Sequence, residues 1–307
     1  LNIGGRGLNP RRSSNFNVRQ NGYEISADPL GYPESYYTPP FESLENPDDA
    51  IEFLNGFLEL DPFNEIAWHQ LGRQYASKGL LKQALSSYDF AVICDNDFIG
   101  AYFEMGKTLQ KMKRYNEAIL SYEMTLSIGE PTAFALLHIG QCHIELDNIK
   151  LAIQYFKRTL NEDPLYEKAW IALIDVYCKN KDFEKALYYA KKSIQIDNVN
   201  VATWKRYAEI NFSLGLLEEA DLGFTECVNL GNYEVDTWVK WADVLKEMND
   251  YPRALEILQH GLEFHPESSV INFRLGGIYL LSSQSLEARF YLKNAYMSDA
   301  KQLNHFY

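Results

Sequence analysis

The chain has 307 residues, 46% of them hydrophobic and 14% aromatic, which is ample for a large core, and 42 acidic against 29 basic side chains give a formal charge of −13. That balance argues against nucleic acid as the default partner, because phosphate binding needs a basic surface, and it favours a basic or neutral protein or peptide. Four cysteines (Cys94, Cys142, Cys178, Cys227) with no CxxC spacing argue against a disulfide framework or a cysteine metal site, and no apolar run approaches membrane-spanning length.

Residues 1–40 are rich in Gly, Asn, Ser and Pro, a loop or extended-strand composition. Four arginines (Arg6, Arg11, Arg12, Arg19) against Glu24, Asp28 and Glu34 give this stretch +1, which leaves −14 of the total −13 for residues 41–307. Pro33, Pro39 and Pro40 in GYPESYYTPPFESL (residues 31–44) forbid a regular helix there.

Beyond it, alanine recurs every 34 residues, at Ala50, Ala84, Ala118, Ala152, Ala186, Ala220, Ala254 and Ala288. A fixed period of this length marks a stacked repeat architecture. The first alanine belongs to a lone helix over about 48–60, inside a junction at 41–64. Seven two-helix units follow over 65–307, starting near Glu65, Ile99, Ala133, Glu167, Val201, Val235 and Ser269.

Sixteen residues before each later alanine stands a bulky residue (Trp68, Tyr102, Leu136, Trp170, Trp204, Trp238), fading at Asn272. Four further on comes a small one (Gly72, Gly106, Gly140, Ala208, Ala242, Gly276), interrupted by Ile174. Four after each alanine comes a large one (Leu54, Tyr88, Tyr122, Phe156, Phe224, Leu258, Leu292), interrupted by Ala190. Trp68, Leu71 and Tyr75 share one helix face, so each unit reads as an antiparallel helix pair that needs its neighbour to cover its apolar side. Pro62, Pro164 and Pro266, or Asn in their place, stop the second helices. The predicted fold is all-α, with an extended, non-helical N-terminal segment.

The run WHQLGRQY (residues 68–75), followed by Ala84, Tyr88 and Ala91, closely resembles the tetratricopeptide repeat (TPR) signature. The resemblance covers roughly residues 47–300. It implies a solenoid, a right-handed superhelix of antiparallel helix pairs whose concave groove is lined by first helices. Residues 3–40, with Arg6-Gly7 and Pro10, Asn21-Gly22 and YYTPP (36–40), resemble part of the plug domain of TonB-dependent outer-membrane receptors. No barrel strands accompany it, so transport does not carry over. Three origins stay open for the segment: a junction, a natural tail, or a receptor-derived peptide joined to its binder. Its sign is opposite to that of the acidic array, and the expectation is that residues 1–40 lie extended along the groove, in cis or from a neighbouring chain.

No chemistry-bearing constellation emerges. His138 and His143 are about 140° apart round one helix and so do not face one metal. No GxSxG, HExxH, P-loop or GxGxxG stands in its structural context, and the cluster Gly4-Gly5-Arg6-Gly7 precedes no helix. The expectation is no enzyme activity, cofactor or metal. Trp68, Trp170, Trp204, Trp238 and Trp241 are assigned to the core.

Candidate partner-binding residues are first-helix positions facing the groove: His69, Arg73, Phe103, Lys107, Leu137, Gln141, Ile171, Asp175, Lys205, Glu209, Phe212 and Asp243, with Lys168 and Lys246 beside them. The family's carboxylate clamp needs an Asn set that His69, Arg73, Phe103 and Lys107 lack. The mixture suits an extended peptide. The leading reading is a non-enzymatic scaffold that binds an extended polypeptide. The alternatives are a component associated with TonB-dependent transport and an oligomeric structural solenoid, since exposed end faces invite a homo-oligomer. The expected compartment is the cytoplasm, or the periplasm and outer membrane if the plug-like segment is native.

Overall fold

The computed structural model describes residues 18–20, 23–25, 46–130 and 132–304, with side chains for 46–130 and 132–298. Near the start, β1 (Val18–Gln20) and β2 (Tyr23–Ile25) pair antiparallel, Val18 opposite Ile25 and Gln20 opposite Tyr23. The remaining described residues form fifteen helices and their turns. A single helix α1 (Pro47–Leu60) comes first. The pairs are α2 (Glu65–Ser77) with α3 (Leu81–Cys94), α4 (Ile99–Lys111) with α5 (Tyr115–Ile128), and α6 (Ala133–Glu145) with α7 (Ile149–Glu162). Then come α8 (Glu167–Lys179) with α9 (Phe183–Ile196), α10 (Val201–Ser213) with α11 (Leu217–Asn229), α12 (Val235–Glu247) with α13 (Tyr251–Phe264), and α14 (Ser269–Leu281) with α15 (Ser285–Asn304). The chain divides into two compact units, Leu1–Asp163 and Pro164–Tyr307.

Local signals start and stop these helices. Asn64, Thr132, Asn200 and Ser268 cap α2, α6, α10 and α14, each side-chain oxygen accepting a backbone N–H three residues on. Every first helix ends in one device. The residue after its C-cap is left-handed: Gly79, Lys113, Asp147, Lys181, Gly215, Asn249 and Ser283, all with φ between 59° and 75°. The following N–H reaches back five residues, as in Leu80 to the Tyr75 carbonyl (2.9 Å) and Arg114 to that of Leu109 (2.9 Å). This is the Schellman motif, which satisfies the last carbonyls and reverses the chain in three residues. Only two of the seven positions are glycine, so composition alone conceals the series.

Packing within a pair rests on a notch and a plug. A Cβ on Gly72 would stand 2.4 Å from the Tyr88 ring, one on Gly106 2.5 Å from Tyr122, and one on Gly140 2.4 Å from Phe156. The first helix therefore has no room for a side chain where the second helix inserts its ring. The two interruptions noted in the sequence, Ile174 and Ala190, occupy these two places in one pair, α8 and α9. Both are fully buried, and the large residue has simply changed sides. In α10 and α11, where the notch holds Ala208, Gly223 yields instead, since a Cβ there would lie 2.8 Å from that of Ala208.

Seven residues after each repeat alanine, every complete pair has a small residue, from Ala91 and Thr125 to Gly261 and Ala295. A Cβ on Gly261 would stand 2.9 Å from Trp238 of its own first helix and 3.2 Å from Ile271 of the next. α1 has no first helix among the described residues, and it carries Phe57 at this place.

Candidate functional site

The first-helix face of each unit is built from the residues that repeat at fixed offsets along the first helices. In the first unit, three of the expected surface residues are in the core: His69, Phe103 and Leu137 are 3%, 7% and 2% exposed. They share one repeat offset, and at His69 and Phe103 it is covered from the following pair. Phe98, just before α4, packs edge-on to His69 with ring centroids 5.1 Å apart, and His138 of α6 does the same to Phe103 at 5.6 Å. Burial, with Arg73 and Lys107 nearby, pushes the His69 imidazole down to about 3, so it is neutral at physiological pH. Among the described residues, its Nε2 and the buried Tyr88 hydroxyl have no hydrogen-bond partner. One pair later the same kind of hydroxyl is satisfied: Tyr122 donates to Gln110 Oε1 at 2.6 Å, and His138 Nδ1 lies 3.0 Å from that oxygen.

Arg73 is exposed, and Lys107 and Gln141 are half-buried. Lys107 pairs with Glu104 at 2.7 Å and sits 5.6 Å from the centroid of the Phe103 ring. These three side chains stand at one offset of α2, α4 and α6 and keep part of their surface exposed.

In the second unit the expected residues Ile171, Asp175, Lys205, Glu209, Phe212 and Asp243 are all half-buried. Four of them are tied into ion pairs that cross from one first helix to the next. Asp175 of α8 accepts from Arg206 of α10 at 2.5 Å, and Arg206 also holds Glu209 at 2.9 Å. Glu209 accepts from Lys240 of α12 at 2.6 Å, Lys240 reaches Asp236 at 2.9 Å, and Asp236 and Glu234 share Lys205 at 3.0 and 2.8 Å. These partners hold the Arg206, Lys205 and Lys240 cations above their usual range against the opposing effect of burial. Asp243 pairs separately with Arg274 of α14 at 3.3 Å and Lys246 at 3.7 Å. Phe212 packs on the core around Trp238 and Leu245. Beside the row lies a cleft of about 590 Å³ at the start of α10, lined by Glu167, Ile171, Val199, Lys205 and Glu234 among others.

The sequence pointed to Asp175, Lys205 and Glu209 in this row but not to Arg206 and Lys240, nor to Glu234 and Asp236, which join them. Spacing offered a signal: both lie about 31 residues from a carboxylate that they bind, nearly one repeat period.

Of the tryptophans assigned to the core, Trp170, Trp238 and Trp241 are buried, whereas Trp68 and Trp204 are half-exposed. All four cysteines are free thiols, and burial raises those of Cys142 and Cys227 to about 12, which makes them unreactive. Among the described residues no three His, Cys, Asp or Glu side chains converge as metal ligands would, and no helix is long and apolar enough to cross a membrane.

Paired helices at a 34-residue period, a glycine notch filled by an aromatic ring, and a Schellman turn in every pair define a TPR solenoid fold. The chain carries tetratricopeptide repeats: family models of that description match residues 134–165 and 99–124. It is similar to Superkiller complex protein 3 of Mus musculus, 30% identical over 118 residues that make up 36% of this chain and 8% of that protein. It is also similar to the Protein CTR9 homolog of Arabidopsis thaliana, 23% identical over 116 residues, covering 36% of this chain and 11% of that one. The chain thus matches about a tenth of the length of these curated relatives. Among solved structures, the C-terminal part of a TPR repeat-containing protein from Cytophaga hutchinsonii shares the fold, with a TM-score of 0.64 and 13% identity over 76% of this chain and 95% of that one. The plug-like resemblance and the expected path of residues 1–40 along the first-helix face fall outside the described residues, except for β1 and β2. The matches to residues 99–124 and 134–165 lend the plug-like resemblance no support.

Proposed function

We infer that this chain is a non-enzymatic scaffold that takes an extended, basic or neutral polypeptide on its first-helix faces. The observation that carries this reading is the cross-helix row of the second unit. Its side chains, most of them half-buried, stand on or at the start of first helices, they are paired with one another, and a cleft opens beside them. Preorganised side chains lose little entropy on binding, which suits recognition of a segment that must itself be ordered. Four carboxylates (Asp175, Glu209, Glu234, Asp236) against three cations (Lys205, Arg206, Lys240) leave the row at −1, so a bound segment gains from backbone and apolar contacts as well as from the acidic surroundings. The Mus musculus relative is by name a component of a complex; a place in an assembly is proposed here on the repeats alone.

The experiment is a binding screen of the purified chain against an array of extended 12- to 15-residue peptides, followed by Ile171→Glu and Gln141→Arg. The reading expects neutral or basic peptides to be selected, and affinity to fall about tenfold or more in at least one variant with the unfolding midpoint unchanged. A selected set that is acidic, or binding indifferent to both substitutions, would overturn it.

A further inference from the structure

Among the described residues, α14 is the one first helix that carries exposed large hydrophobic side chains. Val270, Phe273 and Leu280 are 50%, 58% and 55% exposed, with Gly277 between the last two. The spacing i, i+3, i+7, i+10 makes them a single stripe about 15 Å long on one face of the helix. At the Gly277 offset the other first helices carry polar side chains, such as Arg73, Lys107 and Asp243.

The array covers such residues elsewhere. Phe273 shares its repeat offset with His69, Phe103, Leu137 and Val239, all buried. Tyr296 of α15, 76% exposed, shares one with a half-buried aliphatic residue in each earlier pair, from Val92 to Leu262. Gly277 adds an independent sign of contact. A Cβ there would meet nothing within 4 Å, whereas one on Gly276 would stand 2.6 Å from Leu292. Gly276 is the notch of its own pair. Gly277 serves no packing among the described residues, although glycine weakens a helix interior, and its use is the close approach of a second backbone.

We propose that this stripe is a self-association surface, on which α14 of a second copy of the chain packs antiparallel about a two-fold axis. The stripe is complementary to itself. In the register that sets Val270 opposite Leu280, Phe273 of each copy falls opposite Gly277 of the other, so a ring enters a gap on both sides of the axis. A parallel pairing would crowd two rings at 273 and leave a void at 277. Charge permits the contact: a chain at −13 repels its own copies, but the stripe is uncharged, and Arg274, the one charged residue of α14, is paired with Asp243 at 3.3 Å. Area suffices. Val270, Phe273, Leu280, Leu281, Tyr296 and Met297 each leave about 100 Å² uncovered, so two copies bury on the order of 1,000 Å², enough for a specific but reversible interface. The inference does not rest on peptide binding.

The test is sedimentation equilibrium of the full chain over roughly 1–200 µM, comparing the unaltered protein with Phe273→Glu and Gly277→Leu. Both sites are open, so neither change threatens the fold, and an unchanged melting midpoint checks this. The unaltered protein is expected to dimerise within that range. The dissociation constant is expected to rise about thirtyfold or more in each variant, in the first by burying a charge and in the second by filling the gap. A benzophenone residue in place of Phe273, in a mixture of light and nitrogen-15-labelled chains, is expected to join the two isotopic forms at or beside residue 277. A monomer throughout the range, dimers that survive either substitution, or crosslinks confined to single chains overturn the proposal.

Discussion

At the residue scale, the fold depends on which side of each pair yields volume. Gly106 has ordinary backbone angles, yet it cannot accept a Cβ because the Tyr122 ring is 2.5 Å from where that atom would stand. Gly106→Ala is expected to cost about 1–3 kcal/mol by overpacking, read as a lowered urea midpoint. Ala190→Leu should be similarly costly alone, and substantially rescued by Ile174→Ala, since the pair at this place has traded sizes; a double-mutant cycle with no coupling would refute the exchange. His69 gives a pH signature. Its folded value near 3 lies below the unfolded 6.5, so between those limits the unfolded chain binds a proton that the folded chain refuses. Stability is therefore lost as pH falls below 6.5, by up to about 1.4 kcal/mol per unit. Urea midpoints at pH 7, 5.5 and 4.5 should fall less steeply in His69→Leu, which removes the titrating group and its unsatisfied nitrogen together.

At the scale of elements, the turn from first to second helix is the most uniform device in the molecule. Its left-handed residue is Lys113, Asp147, Lys181, Asn249 or Ser283 in five of seven places, and a Cβ in that conformation costs about 1–2 kcal/mol, partly offset because glycine loses more entropy on folding. Lys181→Gly is accordingly expected to stabilise by about 0.5–1 kcal/mol, measured by thermal melting, with helix content unchanged. The cross-helix ion pairs contribute less. Arg206 and its partners are part-exposed, so Arg206→Met should cost no more than about 1 kcal/mol. The difference should shrink as salt rises towards 1 M, because screening weakens the pairs in the parent protein.

Within each unit, contacts run between successive helices rather than to one shared centre. A repeat chain of this kind has stability that is a sum of pairs and interfaces. The expected outcome is a calorimetric enthalpy larger than the van't Hoff enthalpy, and equality of the two would show a single cooperative unit.

Much of this was legible in the chain. The 34-residue alanine series gave the helix pairs, because close approach of two helices needs a small residue wherever they cross, whatever surrounds it. The face of Trp68, Leu71 and Tyr75 followed from helical period, and the proline content of residues 31–44 excluded a helix. The surface was read less well. His69 and Phe103 occupy an offset that looks open in a single pair but is covered once the next pair stacks, and periodicity within one repeat carries no record of its neighbour. The half-exposed Trp68 was missed for the converse reason. Its place in the repeat says core, but among the described residues the small Ser86 leaves a cleft beside its ring open.

The sequence by itself determined the repeat, its helix pairs and the volume exchanged across each pair, because these depend on residues within one 34-residue period. Only the tertiary structure decided which first-helix residues remain open, which carboxylates are already paired, and where the stack leaves a cleft. Those outcomes depend on side chains about 30 or more residues apart that meet only when one pair packs against the next.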